Sequence, residues 1–231
     1  MWLSLAAVIL TAGAGENMAE AQFKKMEEQV LKCKSLQMDI DIVAGPEKEA
    51  FMAMKGRMLV AAGNKIRMEL DGEVRKEKDQ MLMVSDGTKM SMGNSKRPGK
   101  EQDTTKHLTQ ISLASYSRGG IIASLFMARA GGPDGKPKAF DIDKDMAISD
   151  LKLGKKEAVG DRESQAIEYK LALEAGGDSL AMTVWIDVKT NLPIKRVSLM
   201  KEGNMTITIT ESYAKTVLDG KIDEKEFALP K

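Results

Sequence analysis

The chain has 231 residues, 42% hydrophobic and 30% charged, and its 35 basic and 34 acidic side chains leave a net charge of +1. That is a globular composition with room for one large all-β or α+β domain, and no basic block interleaves with aromatics as nucleic-acid binding would require. A single cysteine, Cys33, and a single histidine, His107, exclude an intramolecular disulfide and a Cys/His zinc site.

Residues 2–10 form an apolar run too short to span a bilayer. The small residues behind it, Ala12-Gly13-Ala14 and Ala19-Glu20-Ala21, suit a signal-peptidase site, although no Lys or Arg precedes the run. We read 1–21 as a secretory signal, the alternative being a buried N-terminal helix, and 22–231 as the domain. Lys32 stands before Cys33 where a lipobox needs a small residue.

From about Ala19 to Lys34 the pattern Ala21, Met26, Val30, Leu31 predicts an amphipathic helix, with Cys33 half-buried on it. Leu36 to Val43 then alternates, with Leu36, Met38, Ile40 and Ile42 opposed to Asp39 and Asp41. Phe51 to Met92 continues that alternation and carries eight of the chain's 17 methionines. Successive strand residues point to opposite faces. Met52, Met54, Met58, Val60, Ile66, Met68 and Leu70 therefore share one face, against Lys55, Arg57, Lys65, Arg67 and Glu69. Gly63-Asn64, Asp71-Gly72 and Ser85-Asp86-Gly87-Thr88 are the predicted turns of this meander. Period alone leaves open whether Met81 and Met83 or Leu82 and Val84 face the same way.

Residues 93–106 have no apolar period and are expected to be a loop that runs on to an exposed His107. Leu108 to Ala130 reads as two short helices split at Gly119-Gly120 and lying over the sheet; Ile122, Leu125 and Phe126 belong to the second. Gly131 to Pro137 is a loop rather than a phosphate cradle. Asp141, Asp143 and Asp145 are expected in a solvated loop, and nothing arranges a nucleophile with a base, so no enzyme is expected. Strands follow over 147–153, 158–159, 165–173, 180–188, 192–199 and 205–213. The fold class is α+β: one antiparallel sheet of roughly ten strands.

Four pieces in chain order resemble the LolA-like family of periplasmic lipoprotein carriers. They are Gly56-Arg-Met-Leu-Val60, Leu82-Met-Val-Ser-Asp-Gly-Thr-Lys-Met90, Leu125-Phe-Met-Ala-Arg129, and Trp185-Ile-Asp-Val-Lys-Thr-Asn-Leu-Pro-Ile194 with Phe227-Ala-Leu-Pro230. The resemblance implies a single curved sheet forming an open half-barrel, covered by an N-terminal helix and a helical lid at about 106–130. The hollow of that family takes acyl chains of lipoproteins or other lipids. It also implies a periplasmic or secreted monomer without a cofactor, served by an inner-membrane donor or an outer-membrane acceptor protein.

The family's lid-latching arginine falls on Ala62 here, which removes the latch from the implied mechanism. Combined with the Met-rich face, the expectation is a non-catalytic carrier of acyl chains. Its lining would be Met52, Met54, Met58, Val60, Ile66, Met68, Leu70, Met81, Met83, Met90 and Met92 from the sheet. Ile122, Leu125 and Phe126 would line it from the lid. An envelope sensor or protein-interaction module using the same hollow is the alternative. Methionine suits either because it adapts to varied apolar partners.

Overall fold

A computed structural model describes residues 10–46, 49–94, 97, 99–122, 140–173, 179–203 and 205–230. Helix α1 (Leu10–Leu31) leads into strands β1 (Ser35–Pro46), β2 (Met52–Ala61), β3 (Lys65–Val74), β4 (Glu77–Asp86), β5 (Lys89–Asn94) and β6 (Gln102–Asp103). Helix α2 (Leu108–Ala114) continues as a π-turn over Ser115–Gly119, and a single turn, α3 (Ile142–Asp145), precedes the second run of strands. These are β7 (Met146–Val159), β8 (Arg162–Leu173), β9 (Leu180–Asp187), β10 (Pro193–Glu202) and β11 (Met205–Leu218), followed by a 3₁₀ turn at Glu224–Phe227.

All eleven strands form one sheet in the order β6-β5-β4-β3-β2-β1-β11-β10-β9-β8-β7. Each run is a meander of antiparallel neighbours, and the pairing of β1 with β11 joins the two runs. The ends, β6 and β7, are not neighbours, so the sheet stays open. This is the half-barrel expected from the sequence, with one strand more than the rough count.

Alternation places Leu36, Met38, Ile40 and Ile42 of β1 inward and fully or almost fully buried. The inner faces of β2–β5, β8, β9 and β11 join them in one apolar cluster with Phe23, Met26 and Val30 of α1 and Leu108, Leu113 and Ala114 of α2. Phe23 meets Tyr169 edge-on at 5.1 Å between ring centroids. A covering of helices on the inner face of one sheet is how such a sheet hides its apolar side.

Several sequence expectations need correction. Asp71-Gly72 is not a turn, because β3 runs on to Val74 and the chain reverses at Arg75-Lys76. Gly72 serves close approach instead: a Cβ there would lie 2.0 Å from the Ala53 carbonyl oxygen, and one on Gly56 would lie 1.7 Å from that of Glu69. The signal that suggested a turn marks a place where two backbones crowd. Within the expected loop at 93–106, Gln102 and Asp103 add a short strand to β5. Cys33 lies just past the end of α1 and is buried, which pushes its thiol up to about 11 and leaves it unreactive at neutral pH. Asp145 is buried rather than solvated, its carboxylate accepting from the Asp141 amide at 2.7 Å, while Asp141 caps α3. His107 is only partly exposed; it precedes α2 with φ 64° and contacts Gln110 at 2.9 Å. The expected Gly131–Pro137 loop lies outside the described residues.

On the outer face the C-terminal 3₁₀ turn packs on β3 and β4, hiding Leu59, Val84 and Phe227. Ionic contacts hold the turn there. Arg57 bonds Glu69 and Glu226 at 2.9 Å each, and Arg67 reaches Glu69 and the Glu226 carbonyl. Hydrogen bonding from Arg67, then from Arg57, holds the Glu69 carboxyl below its ordinary value of 4.5 against the opposing effect of burial. A depressed carboxylate stabilises the fold above its ordinary pKa, and that contribution fades as pH falls through the folded value. Urea titrations at about pH 7 and about pH 3 should therefore show Glu69→Gln destabilised at the higher pH and by less at the lower. An equal deficit at both would deny the ionic role.

Candidate functional site

The inner face of β1–β5 is a methionine surface with a defined register. Met38 pairs with Met58, Met58 with Met68, Met68 with Met83, and Met83 with Met92. Five strands thus contribute one methionine each to a single row running across the sheet. Cross-strand neighbours on one face stand close enough for side chains to pack. The rows beside it hold Leu36, Val60, Ile66 and Met90 on one side and Ile40, Leu70 and Met81 on the other.

The register settles the question that period left open: Met81 and Met83 point inward. Val84 is also buried, but on the outer face beneath the C-terminal turn. Met54, Met58, Val60, Ile66, Met68, Leu70, Met83 and Met90 are buried, and Met52, Met81, Met92 and Ile122 are partly buried against the same cluster. Leu125 and Phe126 lie outside the described residues. Met38 completes the row but was not among the expected lining residues, although its place in the Leu36-Met38-Ile40 alternation marks it.

Over this surface runs the crossing 108–122. Its first turn is tethered at the β2–β3 turn, where Thr109 Oγ1 donates to the Ala61 carbonyl at 2.8 Å and accepts from the Asn64 amide at 3.0 Å. Ala62 itself is exposed. Uncharged hydrogen bonds therefore occupy the place where the resemblance would put an arginine.

The far end of the crossing is held by charges from the other half of the sheet. Arg196 on β10 and Glu211 on β11 pair in register on the inner face, flanked by Val184 and Ile42 in the same row. Both are buried. Arg196 Nη1 donates to the Tyr116 carbonyl at 2.9 Å and to that of Ser115 at 3.3 Å, while Nη2 donates to that of Ser117 at 2.7 Å. Glu211 accepts from the amides of Ile121 and Ile122 at 2.7 and 2.9 Å. Orphan carbonyls at a helix end favour a cation, and free amides at a helix start favour an anion.

Tyr213 bridges the pair, accepting from Arg196 at 3.2 Å and donating to Glu211. Burial first, and the Glu211 charge second, hold the Tyr213 phenol well above its ordinary range, so it remains a neutral donor. Between the two grips lies Gly120 at φ 87°, where a Cβ would come within 2.8 Å of the Glu211 carboxylate. The predicted break at Gly119-Gly120 is real, and it is built around this contact.

A second arginine extends the grip to the neighbouring elements. Arg118 is almost fully buried, pairs with Glu27 of α1 and Asp143, and donates to the carbonyls of Ile142 and Met146 at 2.9 and 3.0 Å. Asp143 is solvated as expected, its side chain 80% exposed, and still meets Arg118 at 2.8 Å. Sequence reasoning missed Arg118, Arg196 and Glu211. On β10 the signal was a reversed polarity: Ile194, Arg196 and Ser198 face in while Lys195, Val197 and Leu199 face out. Among the described residues, no three His, Cys, Asp or Glu side chains group as a metal would require, and no helix is long and apolar enough to cross a membrane.

No protein-family model matches the sequence, nor does the sequence of any curated protein. Solved structures do match. Lipoprotein LppX of Mycobacterium tuberculosis aligns at 12% identity and a TM-score of 0.50, over 90% of this chain and 98% of its own. LprF from Mycobacterium bovis aligns at 10% identity and a TM-score of 0.54, over 93% and 97%. A LolA superfamily protein from Nitrosomonas europaea aligns at 12% identity and a TM-score of 0.37, over 91% and 97%. At these identities the likeness is one of fold alone, the fold shared with LppX and LprF.

Removing one partner of a buried charge pair costs about 3–5 kcal/mol. Arg196→Ala should lose stability on that scale in urea denaturation. Glu211→Gln, which keeps one acceptor, should fold and show faster hydrogen exchange at the Ile121 and Ile122 amides than wild type. Unchanged exchange there would mean that the carboxylate does not hold the crossing.

Proposed function

We propose that this LolA-like half-barrel is a non-catalytic carrier that binds the acyl chains of a lipid or lipoprotein in the cell envelope. The observation that carries the reading is the row Met38–Met58–Met68–Met83–Met92 beneath a crossing tethered at Thr109 and gripped from Ser115 to Ile122. β-branched and aromatic residues are the usual filling of a sheet interior. Unbranched, polarizable methionines repack around varied apolar shapes. A bound chain would lie between that row and the crossing, with Met52, Met81 and Met92 at the margin. Each acyl CH₂ buried contributes about 0.8 kcal/mol, so one chain supplies affinity without polar recognition.

Protein purified from its native envelope should release lipid into organic solvent for mass spectrometry, and a fluorescent fatty acid should bind to the emptied chain. A fatty acid carrying a photoreactive group at its chain end should label peptides containing Met58, Met68 or Met83. No lipid together with no probe binding would overturn the carrier reading, as would labels confined to the outer face. Protein recovered without lipid but bound to an envelope polypeptide would favour the interaction module.

The envelope location rests on the apolar run 2–10 and the small residues after it. The apolar side of α1 begins at the buried Ala19 and continues through Phe23, Met26 and Val30. Cleavage after Ala14 keeps that side whole, whereas cleavage after Ala21 removes its first member. Mass spectrometry of the exported protein's N-terminal peptide should find one of these two ends; an uncleaved Met1 would remove the signal assignment.

A further inference from the structure

The rim of the sheet, at the end away from the Thr109 tether, carries a pocket that the methionine row does not account for. It has a volume of about 500 Å³ and opens where the β1–β2 connection, the β3–β4 turn and the start of β11 meet. Its apolar walls are Pro46, Ala50, Phe51, Met205 and Ile207, and its charged lining is Arg75, Lys76 and Glu49. Small-molecule sites have this size and this mixture of apolar wall and few polar groups. A second rim pocket of similar volume, between Asp71–Glu73 and Lys78–Gln80, has no large apolar side chain.

We infer that this rim pocket is the headgroup end of the ligand site, and that it selects a single-chain amphiphile with an anionic carboxylate or phosphate head. Three observations carry this. The first is exposure: Phe51 is 37% and Met205 57% exposed, large apolar surfaces left in water beside one another.

The second is continuity with the inner face. Pro46 pairs with Ile207, and one step further in Ala44 pairs with Ile209 and with Met52. Met52 in turn pairs with Val74. Met52, Val74 and Ile209 all pack against the main apolar cluster, so the pocket floor runs into the face that holds the methionine row.

The third is the placement of the cations. Arg75 and Lys76 are the two central residues of the β3–β4 turn, at φ 52° and 67°. A two-residue turn with both φ positive is one that Asn-Gly fills readily, and long side chains are held there against local preference. Outliers of this kind collect at ligand clamps. The Arg75 amide donates to the Phe51 carbonyl at 2.6 Å, which fixes the turn against the pocket wall. Lys76 pairs with Glu49 at 3.0 Å, whereas the Arg75 guanidinium has no ion pair among the described residues. The lining's one carboxylate is engaged, and an exposed, unpaired guanidinium stands over an apolar slot. A carboxylate or phosphate can take two parallel hydrogen bonds from that group while its hydrocarbon tail lies against Phe51, Met205 and Ile207.

The inference rests on the carrier reading, and the test separates the two. The full chain, loaded with a fluorescent fatty acid, is challenged with sixteen-carbon competitors: palmitate, hexadecyl phosphate, a neutral hexadecyl glycerol ether and hexadecyl trimethylammonium. Palmitate or hexadecyl phosphate, or both, should displace the probe at least tenfold more effectively than the neutral and cationic chains; which of them does so identifies the head. Arg75→Glu combined with Lys76→Glu should abolish that preference while leaving the neutral competitor unchanged. Met205→Asp should weaken every competitor. All three positions are exposed, and circular dichroism checks that each variant folds. Equal displacement by all four chains, or a charge-reversed variant that keeps its preference, overturns the headgroup site and leaves the carrier reading standing. Failure of wild type to bind any chain overturns both.

Discussion

Two buried charges set the terms for the rest of the molecule. Arg196 and Glu211 stand opposite each other in the middle of the sheet's inner face, where an unpaired ion costs several kcal/mol. Little but the main chain of the helical crossing is available to satisfy them. The crossing supplies carbonyls to Arg196 and amides to Glu211 because it is interrupted at Gly120, and an unbroken helix would have spent those groups on itself. The break, the glycine at φ 87° and the two strand charges are thus one device. Removing either charge leaves the main-chain groups it holds without that partner.

The sheet needs that device because of its topology. It is a single layer whose two meanders meet only where β1 pairs with β11, and its own strands never close over the inner face. Everything that covers the inner face must be brought there by helices. α1 comes from one end of the chain and is joined by Arg118 and Glu27 to the crossing, α3 and the start of β7. Crowded glycines at positions 56 and 72 let β2 and β3 approach where side chains would collide.

Much of this architecture was legible in the sequence, and its limits have physical causes. Alternation of period two marked the strands, and the methionine surplus marked the inner face of β2–β5. Register across strands was not legible, because a row such as Met58–Met68–Met83 depends on turn lengths rather than on composition. One turn was misplaced because glycine serves close approach at position 72 as well as reversal. The charged anchors were hidden by the habit of reading charge as solvent-facing. On β10 that habit gives the wrong face, since Leu199 lies outside, 41% exposed, while Arg196 is fully buried. A strand whose polarity runs against its neighbours is the place to look for groups that hold another element.

The two halves of the sheet carry different kinds of interaction. The β1–β5 half offers methionines, flexible and indifferent to the exact shape resting on them. The β8–β11 half offers Arg196, Glu211 and Tyr213, which hold the crossing in directional hydrogen bonds. At the Thr109 end the crossing is tied by neutral bonds to a hairpin turn, and such bonds contribute about 1 kcal/mol each. Its Gly120 end is tied by hydrogen bonds to buried ions, which contribute about 1.5–3 kcal/mol each. If a guest enters above the methionine row, the Thr109 end is the one that yields first. The absence of an arginine at Ala62 then ceases to be a missing part: it leaves the weaker tie on the side where the surface is soft, and the strong tie on the side that must keep its shape.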